Sequence, residues 1–317
     1  MASHAMNEGE TGPGPAAQAG FDVVVVGNAG VDTQVYLAGG EIDSGVEGHF
    51  TENLDCAGQA GVYASRGYAR LGQRTAFIGC LGEDWAGQFV RAELQQEGVD
   101  VRGLFLDPTG TARSVNFMYP DGRRRNFYDG KGHMGVQPDL AQCQHLLRGA
   151  RLAHFHIPDW ARRLLPVARE LGVPIACDIQ DVMRANDRYR RDFIQAADFL
   201  FFSAVNHPDP APLMRRFLAS NPRQVIVCGM GARGCALATQ AGIRFFEAVE
   251  LPIPVVDTNG AGDSLAVGFL VGHVLEGRPL EDSIHRGQIV ARHACTLRGT
   301  SAGLITAQEL ERWSGEW

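Results

Sequence analysis

The chain has 317 residues, of which 45% are hydrophobic and 21% charged, so it is long enough to bury a large core. Its formal net charge of −7 disfavours a surface that binds nucleic acid or an anionic membrane. No apolar run approaches the ~18 residues that a membrane span needs. We therefore expect neither nucleic acid nor a membrane as a partner.

The cysteines and the N-terminus bear on compartment and domain boundaries. Seven cysteines are scattered along the chain without a C-x-x-C pair, which is typical of reduced thiols in a cytoplasmic protein. Residues 1–20 are rich in Ala, Gly, Glu and Pro and lack the apolar stretch of a signal peptide, so they are expected to be disordered. We expect a single folded domain over residues 21–317.

The first half of the chain predicts a sheet with a projecting appendage. Residues 21–27 form a β-branched run that ends at a glycine, which is typical of a strand buried on both faces of a parallel sheet. Residues 33–52 and 109–130 are more polar and alternate, which predicts strands that pair into a small lid over the substrate end of the domain. Between them we predict a helix at 57–72, a strand at 75–80 and a helix that Asp84 caps.

The second half alternates regularly between strands and helices. This alternation predicts an α/β fold with a mostly parallel central sheet and helices on both faces. The predicted strands are 151–156, 174–178, 198–202 and 224–228; the helices are 160–171, 185–196 and 209–220; a hairpin at 235–250 and helices at 263–276, 280–297 and 307–314 complete the chain.

The most informative stretch begins where an apolar run ends at Asp257. Thr258 and Asn259 follow, then the loop 260–262 with the sequence Gly-Ala-Gly, then Asp263 and an amphipathic helical segment. A loop without side-chain bulk at a helix start directs backbone N–H groups into one volume, where the helix dipole favours phosphate. A carboxylate there suits a base that takes a proton from an attacking hydroxyl group. The stretch therefore predicts phosphoryl transfer to an alcohol.

A second glycine-rich loop spans residues 229–234 and matches the pattern G-x-G-x-x-G. A dinucleotide site would need a helix to open there, whereas the break at Gly242 suits a hairpin. Three interpretations stay open: a dinucleotide site, a plain turn, and a loop that contacts a mononucleotide phosphate with Arg233 nearby. The Walker A pattern is absent, because Gly130-Lys131 is followed by Gly132.

Other polar residues have two interpretations each. His154 and His156 share a strand face and could bind a metal, but without a cysteine or carboxylate at matching spacing we expect ordinary buried histidines. Asp32 follows the first strand, so it either caps a turn or accepts hydrogen bonds from ligand hydroxyl groups. Residues 57–61 form either a tight loop or a ligand-facing backbone, and residues 123–125 are a solvated run of arginines.

Together these segments resemble the ribokinase-like, or PfkB, family of carbohydrate kinases over roughly residues 22–305. The stretch from Asp257 to Asp263 is similar to the family motif D-T-x-G-A-G-D. Residues 58–72 and 79–87, together with the spacing from Gly27 to Asp32, are similar to its N-terminal region. The resemblance implies a three-layer α/β/α ribokinase-like fold with a small β-sheet lid, and a dimer that forms through that lid.

The resemblance also implies an ATP-dependent kinase that uses Mg²⁺. Asp263 would be the general base, and the backbone of Gly260, Ala261 and Gly262 would hold the transferred phosphoryl group. The other implied positions are Asp32 and Gly58, with Asn28 and Gln59 beside them, for the sugar; Gly229, Gly231, Arg233 and Gly234 for the nucleotide phosphates; Gln288 for adenine; and Asp257, Asn259 and the loop 297–301 for a monovalent cation such as K⁺.

The chain departs from the family pattern at the magnesium side and in the sugar-binding helix. Ser203 and Asn206 stand where the family has N-x-x-E, and Val62 replaces a sugar-binding asparagine. We predict phosphorylation of a primary hydroxyl group of a sugar or sugar derivative. The alternatives are a nucleoside kinase, in which aromatic lid residues would stack on a base, and a binding regulator without catalysis; the aromatic residues are Phe117, Tyr119, Phe127 and Tyr128.

Overall fold

The computed structural model of the protein describes residues 20–120, 123–299 and 303–315, so the predicted disordered segment lies outside it apart from residue 20. Strands and α-helices are numbered in chain order. The strands are β1 (Val23–Val26), β2 (Gly30–Leu37), β3 (Thr51–Gly58), β4 (Thr75–Leu81), β5 (Asp100–Leu106), β6 (Ala112–Met118), β7 (Arg124–Asp129), β8 (Leu152–Phe155), β9 (Ile175–Asp181), β10 (Phe199–Ser203), β11 (Val225–Gly229), β12 (Cys235–Thr239) and β13 (Gly242–Phe246).

The helices cover both faces of the larger sheet. They are α1 (Ala60–Arg70), α2 (Trp85–Gln96), α3 (Leu140–Leu147), α4 (Leu164–Glu170), α5 (Arg191–Ala196), α6 (Ala211–Ser220), α7 (Ala261–Leu270), α8 (Leu280–Ala294) and α9 (Ala307–Ser314), with 3₁₀ turns at Asp159–Arg163 and Gly231–Arg233 and a π-helical turn at Val271–Leu275. Among the described residues, none of these helices is both long and apolar enough to cross a membrane.

The larger sheet has nine strands in the order β13-β12-β11-β10-β9-β8-β1-β4-β5. Its neighbouring strands are parallel except at β12, which runs antiparallel to both of its neighbours. The prediction of a mostly parallel α/β sheet is therefore confirmed. Because parallel strands end on the same edge, the segments that follow β8, β9, β10 and β11 meet there.

The continuous apolar run of β1 reflects burial on both faces. Val23 and Val25 belong to a core that includes residues of α1, α2, α7, α8 and α9. Val24 and Val26 belong to the opposite core, which includes residues of α3, α4, α5 and α6. Alternate side chains of one strand thus supply two separate cores, which is the reason that no polar residue interrupts the run.

The smaller sheet is the lid, with strands in the order β3-β2-β6-β7. The predicted pairing of the two lid segments is confirmed, and β2 runs parallel to β6 from Gly30 to Tyr36. The second lid segment contains β6 and β7, but the bounds of the first were wrong, because β2 begins at Gly30, residues 38–50 form no strand and β3 continues to Gly58. The polar side chain of Asp32, which is buried on β2, was instead interpreted as following the first strand in a turn.

Other local predictions had mixed outcomes. Asp84 caps α2 as expected, accepting a hydrogen bond of 2.8 Å from the Gly87 N–H. Strand β5 and helix α3 were missed. The predicted helix at 185–196 is only six residues long, from Arg191 to Ala196.

Candidate active site

The segment from Asp257 to Asp263, which we call the catalytic loop, leads directly into the first turn of α7. Gly260 is the N-cap residue and has a left-handed backbone (φ 70°), which turns the chain into the helix. In the first turn of any α-helix the leading N–H groups have no partner within the helix. Here that turn carries Ala261, Gly262 and Asp263, and Gly262 is exposed. The Ala261 N–H donates to the Thr258 carbonyl at 3.4 Å, whereas Gly262 is exposed, so the N-terminus of α7 presents backbone to solvent in an arrangement that suits a phosphoryl group.

Asp263 lies within a cluster of polar side chains. A ring nitrogen of His156 and one carboxylate oxygen each of Asp178 and Asp263 lie within 4.8 Å of one another. His156 follows β8 and Asp178 lies on β9, so the sheet edge brings both to the start of α7. His156 is fully buried, and neither of its ring nitrogens has a hydrogen-bond partner. His156 is thus buried as expected, but two carboxylates from other segments lie beside it, which sequence spacing did not indicate.

Burial controls the protonation of this cluster. Burial first, and then the negative charge of Asp178, raise the pKa of Asp263 well above its usual range, while the positive charge of Arg124 opposes the shift. Burial raises the pKa of Asp178 to about 6, against a hydrogen bond from the Gln180 N–H. Burial lowers the pKa of His156 to about 3, so its imidazole is neutral near pH 7. A carboxylate with a raised pKa is suited to accepting a proton at neutral pH.

One face of the lid, which we call the inner face, points at the catalytic loop. The register places three rows of side chains on this face, which are Asp32, Ser114 and Tyr128; Gln34, Asn116 and Asn126; and Tyr36, Met118 and Arg124. The Tyr36 hydroxyl group donates to Asp257 Oδ2 at 3.0 Å, and Arg124 donates to Asn259 Oδ1. The inner face is therefore in contact with the loop that begins α7.

Asp32, predicted to bind the sugar, is an acceptor for protein donors. The Tyr63 and Ser114 hydroxyl groups and both the backbone and the side-chain amide of Gln59 donate to it. Gly58 is required beside it, because a Cβ atom there would lie 2.5 Å from the carboxyl carbon of Asp32. The Asn259 side chain donates to the Tyr63 hydroxyl group at 3.0 Å, which connects Asp32 to the catalytic loop.

Asn28 also reaches the lid. Its side-chain amide donates to the Tyr128 hydroxyl group at 3.1 Å. Its carbonyl oxygen is buried without a hydrogen-bond partner. Asn28, Asp32, Gly58 and Gln59 are thus grouped where the lid meets the main domain, as the resemblance implies.

The predicted nucleotide loop joins β11 to β12. A strand follows it, so it does not open the helix that a dinucleotide fingerprint requires. Arg233 donates to the Pro208 carbonyl at 2.8 Å. Gly234 has φ 87°, and a Cβ atom there would lie 2.0 Å from the Phe246 carbonyl oxygen. Backbone conformation and packing therefore explain why this position is a glycine. Gly229 faces α7, because its Cβ position is 3.6 Å from the Leu265 side chain.

Gln288, predicted at the adenine pocket, lies on α8 and is buried. Its side-chain oxygen accepts a hydrogen bond of 3.0 Å from the Val249 N–H. The side chain therefore holds the segment that follows β13 against α8, which lies beside α7.

Oxygen and amide groups suited to a hydrated magnesium ion meet where the family glutamate is missing. Ser203 pairs with Asp181 across β10 and β9, and the Asn206 amide lies 3.4 Å from Asp181 Oδ2. The Asp181 side chain is 51% exposed. This carboxylate belongs to the neighbouring strand, so the motif spacing alone could not reveal it. Carboxylate oxygens that face water fit Mg²⁺, which keeps several of its own waters.

The carboxylate of Asp257 fits a monovalent cation less well. The Asn259 N–H donates to its Oδ1 at 2.8 Å, and the Tyr36 hydroxyl group and the Gly299 N–H donate to its Oδ2 at 3.0 and 3.4 Å. The Arg298 guanidinium also lies over the Tyr36 ring, 4.6 Å from its centroid. Three protein donors thus already occupy the two oxygens of this carboxylate. Residues 300 and 301 of the predicted cation loop lie outside the described part of the chain.

The lid aromatic residues are divided between its faces. Phe117 pairs with Val35 and Arg125, and Phe127 pairs with Val115, so both lie on the outer face, opposite the catalytic loop. Their rings contact each other edge to face, with centroids 5.5 Å apart. Among the four predicted stacking residues, Tyr128 lies on the inner face, where its hydroxyl group accepts a hydrogen bond from Asn28.

Comparison with known proteins agrees with this architecture. Residues 57–307 match the pfkB family carbohydrate kinase. The chain is 34% identical to an acarbose 7(IV)-phosphotransferase of Actinoplanes sp. over 300 residues (92% of this chain, 97% of the relative), and 30% identical to an aminoimidazole riboside kinase of Salmonella typhimurium over 290 residues (81% and 87%). A solved microbiome-derived acarbose kinase, Mak1, superposes with a TM-score of 0.86 at 26% identity, covering 93% of this chain and 99% of its own. The chain therefore belongs to the PfkB family of carbohydrate kinases.

Proposed function

We propose that the protein transfers the γ-phosphoryl group of ATP to a primary hydroxyl group of a sugar or sugar derivative. The observation that carries this proposal is the position of Asp263 in the first turn of α7. The same turn offers backbone N–H donors for the transferred group and a carboxylate for the attacking hydroxyl group. Phosphoryl transfer depends mainly on such positioning and charge stabilisation.

Each part of the site has one role in this mechanism. The acceptor hydroxyl group binds beside Asp263, which takes its proton as the new P–O bond forms and the bond to ADP breaks. The negative charge of Asp178 raises the pKa of Asp263, so the ionised Asp263 carboxylate holds the proton that it takes more strongly. The lid closes over the acceptor and excludes water, which would otherwise be phosphorylated in its place.

Magnesium, when bound with ATP, neutralises phosphate charge in the transition state. Asp181 and Asn206 are the residues that we expect to hold its waters. The test is Asp181→Asn, with the Glu83→Gln variant as a control remote from β9. We expect weaker binding of Mn²⁺ to the protein–ADP complex by electron paramagnetic resonance, and unchanged binding would assign Asp181 no such role.

The acceptor class is tested with a panel of fructose, ribose, maltotriose, acarbose, adenosine and inosine. Acarbose is included because two relatives are named for it, and the nucleosides because the riboside kinase keeps that alternative open. We expect ADP formation with at least one carbohydrate. Thermal stabilisation without ADP from any acceptor would favour a regulator without catalysis instead.

Asp263→Asn is the matched catalytic variant. We expect the rate to fall by about 10² or more while ADP binding is retained, because the change removes the base and keeps the shape. Normal turnover by a correctly folded Asp263→Asn protein would refute the mechanism.

The lid also supports a dimer. Val115 and Phe127 are 36% and 53% exposed on its outer face, where a second copy of the chain could cover them. Sedimentation of Phe127→Glu against the wild type tests this: we expect the variant to be a monomer and the wild type a dimer.

A further inference from the structure

A row of amide side chains lies across the middle of the inner face of the lid. Gln34 on β2 pairs with Asn116 on β6, and Asn116 pairs with Asn126 on β7. Gln34 is fully buried and Asn116 is 2% exposed. Amide groups both donate and accept hydrogen bonds, so this row presents both functions on the inner face, between the row that holds Tyr128 and the row that holds Tyr36.

Gln34 is the member of the row without partners. Neither its amide nitrogen nor its amide oxygen has a hydrogen bond. A buried polar group without a partner destabilises the fold, so its presence calls for an explanation, such as a ligand that supplies the missing hydrogen bonds. By contrast, Asn116 Oδ1 accepts a hydrogen bond of 2.8 Å from Asn126.

The neighbours of Gln34 show which way it faces. Side chains alternate along a strand, so Asp32, Gln34 and Tyr36 lie on one face of β2. Asp32 is connected through Tyr63 to Asn259, and Tyr36 donates to Asp257. Gln34 is therefore flanked on its own strand by two residues that are connected to the catalytic loop, and it lies buried on the same face of the lid.

We propose that Gln34 and Asn116 bind hydroxyl groups of the acceptor, so that the lid selects a polyhydroxylated carbohydrate over a nucleoside. This inference rests on the proposed kinase function. A sugar offers several hydroxyl groups that donate and accept at once, and these match the unpartnered amide of Gln34. A purine base needs an apolar or aromatic surface to stack on, but Phe117 and Phe127 lie on the other face of the sheet. Tyr128 lies on the inner face, and its hydroxyl group accepts a hydrogen bond from Asn28 at 3.1 Å.

The test compares Gln34→Leu with Thr33→Val. The first removes both hydrogen-bonding atoms at nearly constant volume, and the second makes a polar-to-apolar change at the next residue, on the outer face. We expect Gln34→Leu to lose tenfold or more in kcat/KM for carbohydrates of the panel, with KM for ATP within twofold of the wild type. Thr33→Val should retain the wild-type kcat/KM. Asn116→Leu should repeat the loss.

Two further readouts separate the possible failures. We expect the melting temperature of Gln34→Leu not to fall, because the change removes a buried group without partners. A fall would indicate damage to the fold, and the kcat/KM of Asn116→Leu would then be the test of the inference. In the Asp263→Asn background, stabilisation by panel carbohydrates should disappear on adding Gln34→Leu, while stabilisation by ADP remains. This binding readout holds even if no acceptor turns over. Equal carbohydrate binding and equal kcat/KM in Gln34→Leu and Thr33→Val would overturn the inference.

Discussion

Replacing Asp178 with asparagine should extend activity to lower pH. A carboxylate oxygen of Asp178 lies within 4.8 Å of a carboxylate oxygen of Asp263. Two unit charges at that separation repel by about 3.5 kcal/mol at an effective dielectric constant of roughly 20. With its pKa at about 6, Asp178 is charged at neutral pH, where its charge raises the pKa of Asp263. Removing it lets Asp263 lose its proton more readily.

The assay is the pH profile of kcat/KM, which reports essential groups of the free enzyme. We expect the acid limb of Asp178→Asn to move to lower pH, whatever happens to the maximum rate. His156→Gln is the matched control from the same cluster. Because burial lowers the pKa of His156 to about 3, that variant removes no charge at the pH of the assay, and its acid limb should stay in place. An acid limb of Asp178→Asn that coincides with the wild type, or lies at higher pH, would refute the reasoning.

Three other variants test separate parts of the structure. Gly58→Ala places a Cβ atom 2.5 Å from Asp32, so we expect a loss of about 1–3 kcal/mol in urea unfolding and a higher acceptor KM; an unchanged unfolding midpoint would count against this contact. The wild type should be equally active in potassium and tetramethylammonium chloride, because protein donors already serve Asp257, whereas Tyr36→Phe should gain a response to K⁺; a potassium requirement in the wild type would contradict this. Thr306→Ala removes the capping box of α9 and should cost about 1 kcal/mol in unfolding with unchanged kinetics.

The geometry of the catalytic loop could be predicted from sequence because one contiguous segment carries both the helix N-terminus and the carboxylate that we propose as the base. Gly260, Ala261, Gly262 and Asp263 need only local chain geometry to come together. His156 and Asp178 could not be assigned in this way. They meet Asp263 only through the adjacency of β8, β9 and the start of α7, and local spacing does not encode that adjacency.

The lid shows a different limit. Its existence was predicted from alternation, and only its first two strands were placed wrongly. The buried inner face carries Asp32, Gln34 and Asn116 in place of apolar residues, which the sequence pattern did not predict. The same polar burial is the strongest sign of its function. The aromatic residues drew attention in the sequence, yet strand register places Phe117 and Phe127 away from the cleft.

The lid consists of two separate segments of the chain, one containing β2 and β3 and the other containing β6 and β7. The parallel pairing of β2 with β6 over residues 30–36 fastens them into one sheet. Moving that sheet requires all four connecting segments to bend together. We therefore expect the contacts of Tyr36 with Asp257, of Arg124 with Asn259 and of Tyr128 with Asn28 to break and re-form in one step. Release of both products would then wait on a single opening event, and pre-steady-state mixing should show a burst of ADP if that event is slower than chemistry.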